Sequence, residues 1–208
     1  YLMSGEVWEA TLLYSQVDKA FPEELIGQDA RFRNAKLSYY NGDFEWAQSQ
    51  FDILKTSTSK LISNDALDLS IFIMDNLGLD SNTHAMSEYA QAELLIFQNK
   101  LDESIEKLNI LGNIYSEHGL KDDILYLEAK LYEKKRDYLK AESLYQEIIT
   151  TFPEEIRADN ALYNQAQLYE HQLNDPEKAK ACYEKLFMEY TDSTFAIEAR
   201  KRFRELRG

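Results

Sequence analysis

Apolar and small residues recur along the chain at intervals of three and four, the spacing of one face of an α-helix. The pattern is clearest between Leu125 and Pro153, where two such stripes flank a short polar turn. The first stripe comprises Leu125, Ala129 and Tyr132, and the second Tyr138, Ala141, Tyr145 and Ile148. Pro153 then ends the second segment. We therefore predict two amphipathic helices that approach closely at Ala129 and Ala141.

The small residue of the second helix recurs along the chain. It falls at Ala10, Ala47, Ser104, Ala141 and Ala179. The intervals are 37 or 38 residues, except that the interval from Ala47 to Ser104 is about 20 residues longer. This period predicts a half repeat over 1–22 and full repeats over 28–56, 84–117, 121–153 and 156–190.

Two segments depart from the repeat. Residues 57–83 predict an inserted helix over 59–78, after a polar break over 56–59 and before a stop at Gly78 and the polar residues 80–82. This helix is either a functional insertion or a local packing variant. Residues 193–207 predict a capping helix with an apolar side and a basic side, the latter carrying Arg200, Lys201, Arg202, Arg204 and Arg207. The basic side is a solvating cap or a patch for an acidic partner or lipid headgroup.

The order of small, aromatic and proline positions resembles the tetratricopeptide (TPR) repeat, a 34-residue helix-turn-helix. The alanines that follow Pro153, at Ala158, Ala161 and Ala166, look like those in TPR units of bacterial cell-envelope proteins, such as the outer-membrane-protein assembly lipoprotein and the Tol-Pal coordinating protein. The similarity covers the chain from about Asp122 onward, residues 1–56 more loosely and residues 57–83 poorly. It implies an all-α fold, a right-handed α-α superhelix (TPR solenoid) of antiparallel helix pairs.

In TPR solenoids the first helix of each pair lines a concave groove, so the resemblance also implies a binding surface. Three residues before the small residue of each first helix is an aromatic ladder, made of Phe32, Tyr89, Tyr126 and Tyr163. One residue after the small residue are Lys36, Glu93, Lys130 and Gln167. Four residues after it are Tyr39, Ile96, Glu133 and Glu170. Tyr40 and Phe97 complete two apolar pairs, Tyr39 with Tyr40 and Ile96 with Phe97, which we predict as the anchors for a partner. The alternative role of the aromatic ladder is packing between adjacent first helices.

Some chain positions depart from the TPR pattern. A polar residue stands just before the small residue of each first helix, where the family commonly has Leu; these are Asn34, Gln91, Glu128 and Gln165. The Lys, Asn and Arg set of the peptide-carboxylate clamp of chaperone-binding TPR domains is not found.

Composition narrows the function classes. A formal net charge of −14 would repel a phosphate backbone, which argues against nucleic-acid binding. Cys182 is the single cysteine, so neither an internal disulfide nor a thiolate metal site can form. No apolar run reaches the roughly 18 residues of a membrane span. The three histidines, His84, His118 and His171, lack paired-ligand spacing, and we expect no metal, no cofactor and no catalytic role.

The sequence therefore predicts a scaffold that binds a protein or peptide partner in the groove of a TPR superhelix. The alternative is a structural spacer or self-assembly segment of a longer solenoid. The chain opens inside a repeat at Tyr1, so we expect a fragment that could self-associate through its exposed N-terminal half repeat. The resemblance favours a periplasmic or envelope-associated location, whereas composition suits the cytoplasm equally well.

Overall fold

The computed structural model describes residues 1–56, 59–77, 83–116 and 119–208. These residues form eleven α-helices and one short 3₁₀ helix, with no β-strand among them, which confirms the predicted all-α class. The 3₁₀ helix spans Leu2–Ser4, and the α-helices are α1 (Val7–Ala20), α2 (Leu25–Tyr40), α3 (Phe44–Leu54), α4 (Lys60–Leu77), α5 (Thr83–Phe97), α6 (Leu101–Ile114), α7 (Lys121–Lys134), α8 (Tyr138–Thr151), α9 (Arg157–His171), α10 (Pro176–Glu189) and α11 (Ala196–Arg207).

The turns within four helix pairs share one backbone feature. Each contains a residue with positive φ, namely Gly42, Asn99, Arg136 and Asn174. In the first three turns the next N–H donates to a carbonyl five residues back, as from Asp137 to Tyr132 at 2.9 Å, which closes the first helix with a left-handed cap. The fourth turn is one residue longer, because Asp175 donates to Tyr169. This extra residue accounts for the 38-residue interval between Ala141 and Ala179.

The chain divides into two compact units, unit 1 (Tyr1–Leu111) and unit 2 (Gly112–Gly208), and the division falls near the end of α6. The sequence predicted a single continuous array. The limits of the individual repeats and the handedness of a superhelix stay predictions. Three predicted features lie wholly or partly outside the described residues, namely the middle of the polar break (Ser57 and Thr58), the helix stop (residues 78–82) and one histidine (His118).

Unit 1 is built from consecutive helices around the pair α2 and α3. Helix α1 packs on α2, α2 on α3, and α3 on α4, while α4 also contacts α2 and α5. The core contains fully buried Ala35, Ala47 and Phe51. Ser104 occupies an alanine position of α6 and is buried, with its hydroxyl donating to the Ala92 carbonyl at 2.9 Å. This hydrogen bond explains how a polar residue is tolerated there.

Unit 2 packs its helices in chain order, α7 on α8, α8 on α9, α9 on α10 and α10 on α11, and α7 also contacts α9. The small residues of the repeat pattern lie where these helices meet. Ala129, Ala141, Ala166 and Ala179 are all fully buried in one core. Larger side chains at these positions would force neighbouring backbones apart, so the alanines set the spacing of the helices.

Candidate functional site

A cavity of about 210 Å³ opens in unit 1. We call it the unit 1 cavity. Helices α1, α2, α4 and α5 and the N-terminal 3₁₀ helix all contribute to its wall. Four residues of the predicted binding surface line it, namely Phe32, Lys36, Tyr40 and Phe97. The structure thus brings one part of the predicted surface to a single concave site.

The inserted helix α4 supplies lining residues that the sequence analysis did not single out. These are Leu61, Ile62 and Asp65. Leu61 is 71% exposed and Phe97 is also exposed, so a partner can reach both from solvent. The sequence signal for this role was the surplus of apolar residues on α4, more than one buried face requires.

The rim of the unit 1 cavity carries charges of both signs. The Arg33 guanidinium donates to Asp29 at 2.7 Å, and this hydrogen bond raises the pKa of Arg33. The Lys36 ammonium lies 5.6 Å from the centre of the Tyr40 ring. Burial raises the pKa of Asp65, an effect that nearby Lys36 opposes. An apolar floor with a mixed polar rim suits a large apolar side chain whose flanking backbone and side chains meet the charges.

Tyr39 and Tyr89 do not belong to an accessible surface. Tyr39 is 0% exposed, and its hydroxyl donates to Glu93 at 2.6 Å. Burial, with the adjacent Glu93 carboxylate, raises the pKa of Tyr39 well above its usual value, so the hydroxyl stays a donor. Tyr39 and Tyr40 were predicted as anchors for a partner; the structure encloses Tyr39, whereas Tyr40 is buried but borders the unit 1 cavity.

The inserted helix α4 explains why Tyr39 and Tyr89 are buried. Phe72 of α4 places its ring 6.2 Å from the ring of Tyr39 and 5.1 Å from the ring of Tyr89. Helix α4 therefore covers the aromatic residues of α2 and α5 that an uninterrupted repeat would leave along a groove. Of the second predicted pair, Ile96 is half-buried and Phe97 is exposed.

In unit 2 the ladder tyrosines pack between repeats. Tyr126 lies 6.0 Å from Tyr145, and its hydroxyl accepts a hydrogen bond from the Asn164 amide of α9 at 2.7 Å. Tyr163 stacks on Phe195, with ring centres 4.4 Å apart. Each of these side chains thus contacts the element that follows its own helix pair, Tyr126 through its hydroxyl and Tyr163 through its ring.

The predicted acidic residues of unit 2 are acceptors for buried tyrosines. Tyr145 donates to Glu133 and Tyr183 donates to Glu170, each at 2.8 Å. Lys130 also contacts Glu133 at 2.9 Å, and Arg202 of α11 pairs with Glu170. Gln167 donates to the Tyr183 hydroxyl at 2.6 Å. The second Tyr–Glu pair follows the first after 37 to 38 residues. The same hydrogen bond therefore recurs between the two helices of a pair, and we call it the Tyr–Glu lock.

Two of the four polar residues that depart from the family pattern contact the preceding second helix. The Asn34 amide donates to Ser15 of α1 at 3.2 Å. The Gln165 amide donates to Gln146 of α8 at 3.2 Å. At these two positions a hydrogen bond between neighbouring helices replaces the apolar contact of a leucine.

Side chains that could bind a metal ion do not cluster in the part of the chain that the structure describes. His84 and His171 are exposed, and no group of three or more His, Cys, Asp or Glu side chains among the described residues could hold a metal ion. Burial raises the pKa of the Cys182 thiol to about 11, which disfavours the reactive thiolate. None of the described helices combines the length and the apolar character needed to cross a membrane.

A family model supports the repeat prediction over part of the chain. The crystal structure of BtubC (BKLC) from P. vanneervenii aligns over 99% of this chain and 87% of that chain, with 18% sequence identity and a TM-score of 0.49. A search of the curated proteins finds no match. The family model described as tetratricopeptide repeat matches residues 123–155 and 160–193. These two matched segments cover most of α7 and α9 and all of α8 and α10, and they support TPR repeats over this part of the chain.

Proposed function

We propose that this protein is an interaction scaffold, and that its unit 1 cavity takes a large apolar side chain from a peptide segment of a partner protein. The observation that carries the proposal is the meeting of predicted surface residues from α2 and α5 with the exposed Leu61 of α4 around one cavity. TPR repeats generally mediate protein–protein interaction, and their solenoids present concave surfaces to partners.

The size and charge of the cavity favour a side chain over a small-molecule ligand. Its volume of about 210 Å³ lies below the range of roughly 300–1,000 Å³ that is usual for drug-sized ligands. The rim offers both cations and carboxylates, so a bound segment can find partners for acidic, basic and backbone groups. We propose no catalytic role, because TPR folds are typically non-catalytic scaffolds.

The test is a selection of binding peptides from a random display library, followed by affinity measurement on two matched variants. Leu61→Glu places a charge at the cavity mouth, and Leu139→Glu places the same charge in α8 of unit 2. Leu61 and Leu139 are 71% and 72% exposed, and each is the second residue of its helix. The two substitutions therefore perturb folding similarly.

We expect Leu61→Glu to weaken the selected peptides at least tenfold and Leu139→Glu to leave them unchanged. Burial of one large apolar side chain contributes about 1.5–3 kcal/mol, or roughly a tenfold to hundredfold change in affinity. Equal affinity for both variants would show that the unit 1 cavity is not the binding site. A selection without any binder would favour the alternative of a spacer.

The cellular location stays a prediction. The repeat spacing leads us to propose a periplasmic or envelope-associated site of action in a bacterium. Fractionation of the native cell, with the protein followed by an antibody, tests it, and recovery in the cytoplasm would contradict it.

A further inference from the structure

Helix α1 carries an exposed apolar ridge. Trp8 is 81% exposed, and Leu12, one turn further along the same face, is 59% exposed. Glu9 stands beside them in the first turn and is also exposed. Neighbouring large apolar side chains on a surface indicate an interaction site, since water solvates them poorly.

A second cavity, which we call the α11 cavity, lies at the other end of the sequence in unit 2. It has a volume of about 440 Å³ and is bounded by α10, the following loop and α11. Phe187, Ala196 and Ile197 form its apolar wall, and Ile197 is 85% exposed. Arg200, Lys201 and Arg204 line the same cavity and are exposed.

The two surfaces have opposite charge. Helix α11 carries five basic and two acidic residues, in a chain whose net charge is −14. Residues 1–26 carry five acidic residues and one lysine. Neither Arg200 nor Arg204 forms an ion pair with any residue in the described part of the chain. Their charges are therefore available to an incoming acidic surface.

The chemistry of the α11 cavity suits an indole. Cations bind over the face of tryptophan better than over other rings. Arg200 already lies in this geometry, with its guanidinium 5.4 Å from the centre of the Phe187 ring. An aromatic side chain that enters the cavity would meet an apolar wall on one side and exposed cations on the other.

We propose that Trp8 of one copy of this chain inserts into the α11 cavity of a second copy, with Leu12 against Ile197 and Glu9 facing the α11 cations. The contact joins two different surfaces, so each copy keeps one free surface after the first association. Such heterologous contacts extend to chains or close into rings. Because exposed charges contribute, the association weakens as salt rises. The contact does not involve the unit 1 cavity and is independent of the proposed function.

Sedimentation velocity of the full chain over a wide concentration range tests this contact. Two variants each remove one surface, Trp8→Ala and the double variant Ile197→Ala/Arg204→Glu. Their matched controls are Trp46→Ala, which removes the other tryptophan, and Leu139→Ala/Lys100→Glu, which replaces an exposed aliphatic residue by Ala and an exposed cation by Glu elsewhere in the chain. Thermal melts of all variants verify folding.

We expect wild-type protein and both controls to form species larger than dimers at high concentration, and each surface variant to associate at least tenfold more weakly. A mixture of the two surface variants retains one intact ridge and one intact cavity. It should therefore form a 1:1 dimer and nothing larger.

Three results would overturn the proposal. They are a wild-type protein that stays monomeric at every concentration, a mixture of the variants that does not pair, and a dimer that survives Ile197→Ala/Arg204→Glu. Binding of the chain to vesicles of anionic lipid, without self-association, would instead assign the basic stripe of α11 to a membrane surface. Leu61→Glu should leave the assembly unchanged, which separates this contact from peptide binding at the unit 1 cavity.

Discussion

The Tyr–Glu lock of unit 2 can be tested by removing one hydroxyl group. Tyr145 is fully buried in α8, and its hydroxyl donates to the Glu133 carboxylate of α7 at 2.8 Å. Tyr145→Phe removes this hydrogen bond and keeps the ring that packs on Tyr126. The effect on stability therefore reports the polar contact and not a lost aromatic ring.

The expected loss follows from the fate of the carboxylate. Hydrogen bonds to charged groups contribute about 1.5–3 kcal/mol to stability. Glu133 keeps its ion pair with Lys130 at 2.9 Å, and its side chain remains 24% accessible to water. The carboxylate is thus not left without partners, and we expect Tyr145→Phe to lower the free energy of unfolding by about 1.5 kcal/mol.

Urea denaturation followed by far-UV circular dichroism measures this loss. The chain has two units, and Trp8 and Trp46 both lie in unit 1, so tryptophan fluorescence identifies the part of the transition that belongs to unit 1. Tyr138→Phe is the matched control, because it makes the same change in the same helix. The Tyr138 hydroxyl makes no hydrogen bond to a residue that the structure describes.

The control should change the free energy of unfolding by less than about 0.5 kcal/mol. A double variant with Glu133→Gln should show a coupling energy of about 1 kcal/mol between the two side chains. If Tyr145→Phe costs no more than Tyr138→Phe, the hydrogen bond does not stabilise the helix pair and the lock is refuted.

Three further predictions concern unit-level stability. Burial raises the pKa of Asp122 and of Glu128 to about 7, so these groups favour folding most below about pH 4 and lose that contribution as pH rises to about 7. Thermal melts should therefore show a smaller loss of stability between pH 5 and pH 7 in Asp122→Asn/Glu128→Gln than in wild type. Asp175→Ala, which removes the side chain that accepts from the Lys178 N–H at 3.0 Å, should cost about 1 kcal/mol by urea denaturation, and no loss would refute the cap. Ser104→Ala should stay within about 0.5 kcal/mol of wild type because it restores the repeat alanine, whereas Ser104→Leu should destabilise by about 1–3 kcal/mol.

The candidate site shows how far a family pattern extends to one chain. Counting from the small residues selected Phe32 and Lys36, which line the unit 1 cavity together with Phe97, the neighbour of the counted Ile96. The same counting selected Tyr39, which is buried under Phe72 of α4. The count fails there because it assumes that each helix pair meets the next directly, and an inserted helix changes which face of α2 is open to solvent.

The sequence by itself determined the helices and their turns. Helical periodicity, alanine spacing and turn residues such as Asn174 and Asp175 act over a few neighbouring positions, so their consequences can be deduced locally. The tertiary structure decided which side chains meet. The pairing of Tyr145 with Glu133, the covering of Tyr39 by α4 and the opening of the unit 1 cavity all depend on where separate helices are placed. Such contacts join residues far apart in the chain, and no local spacing encodes them.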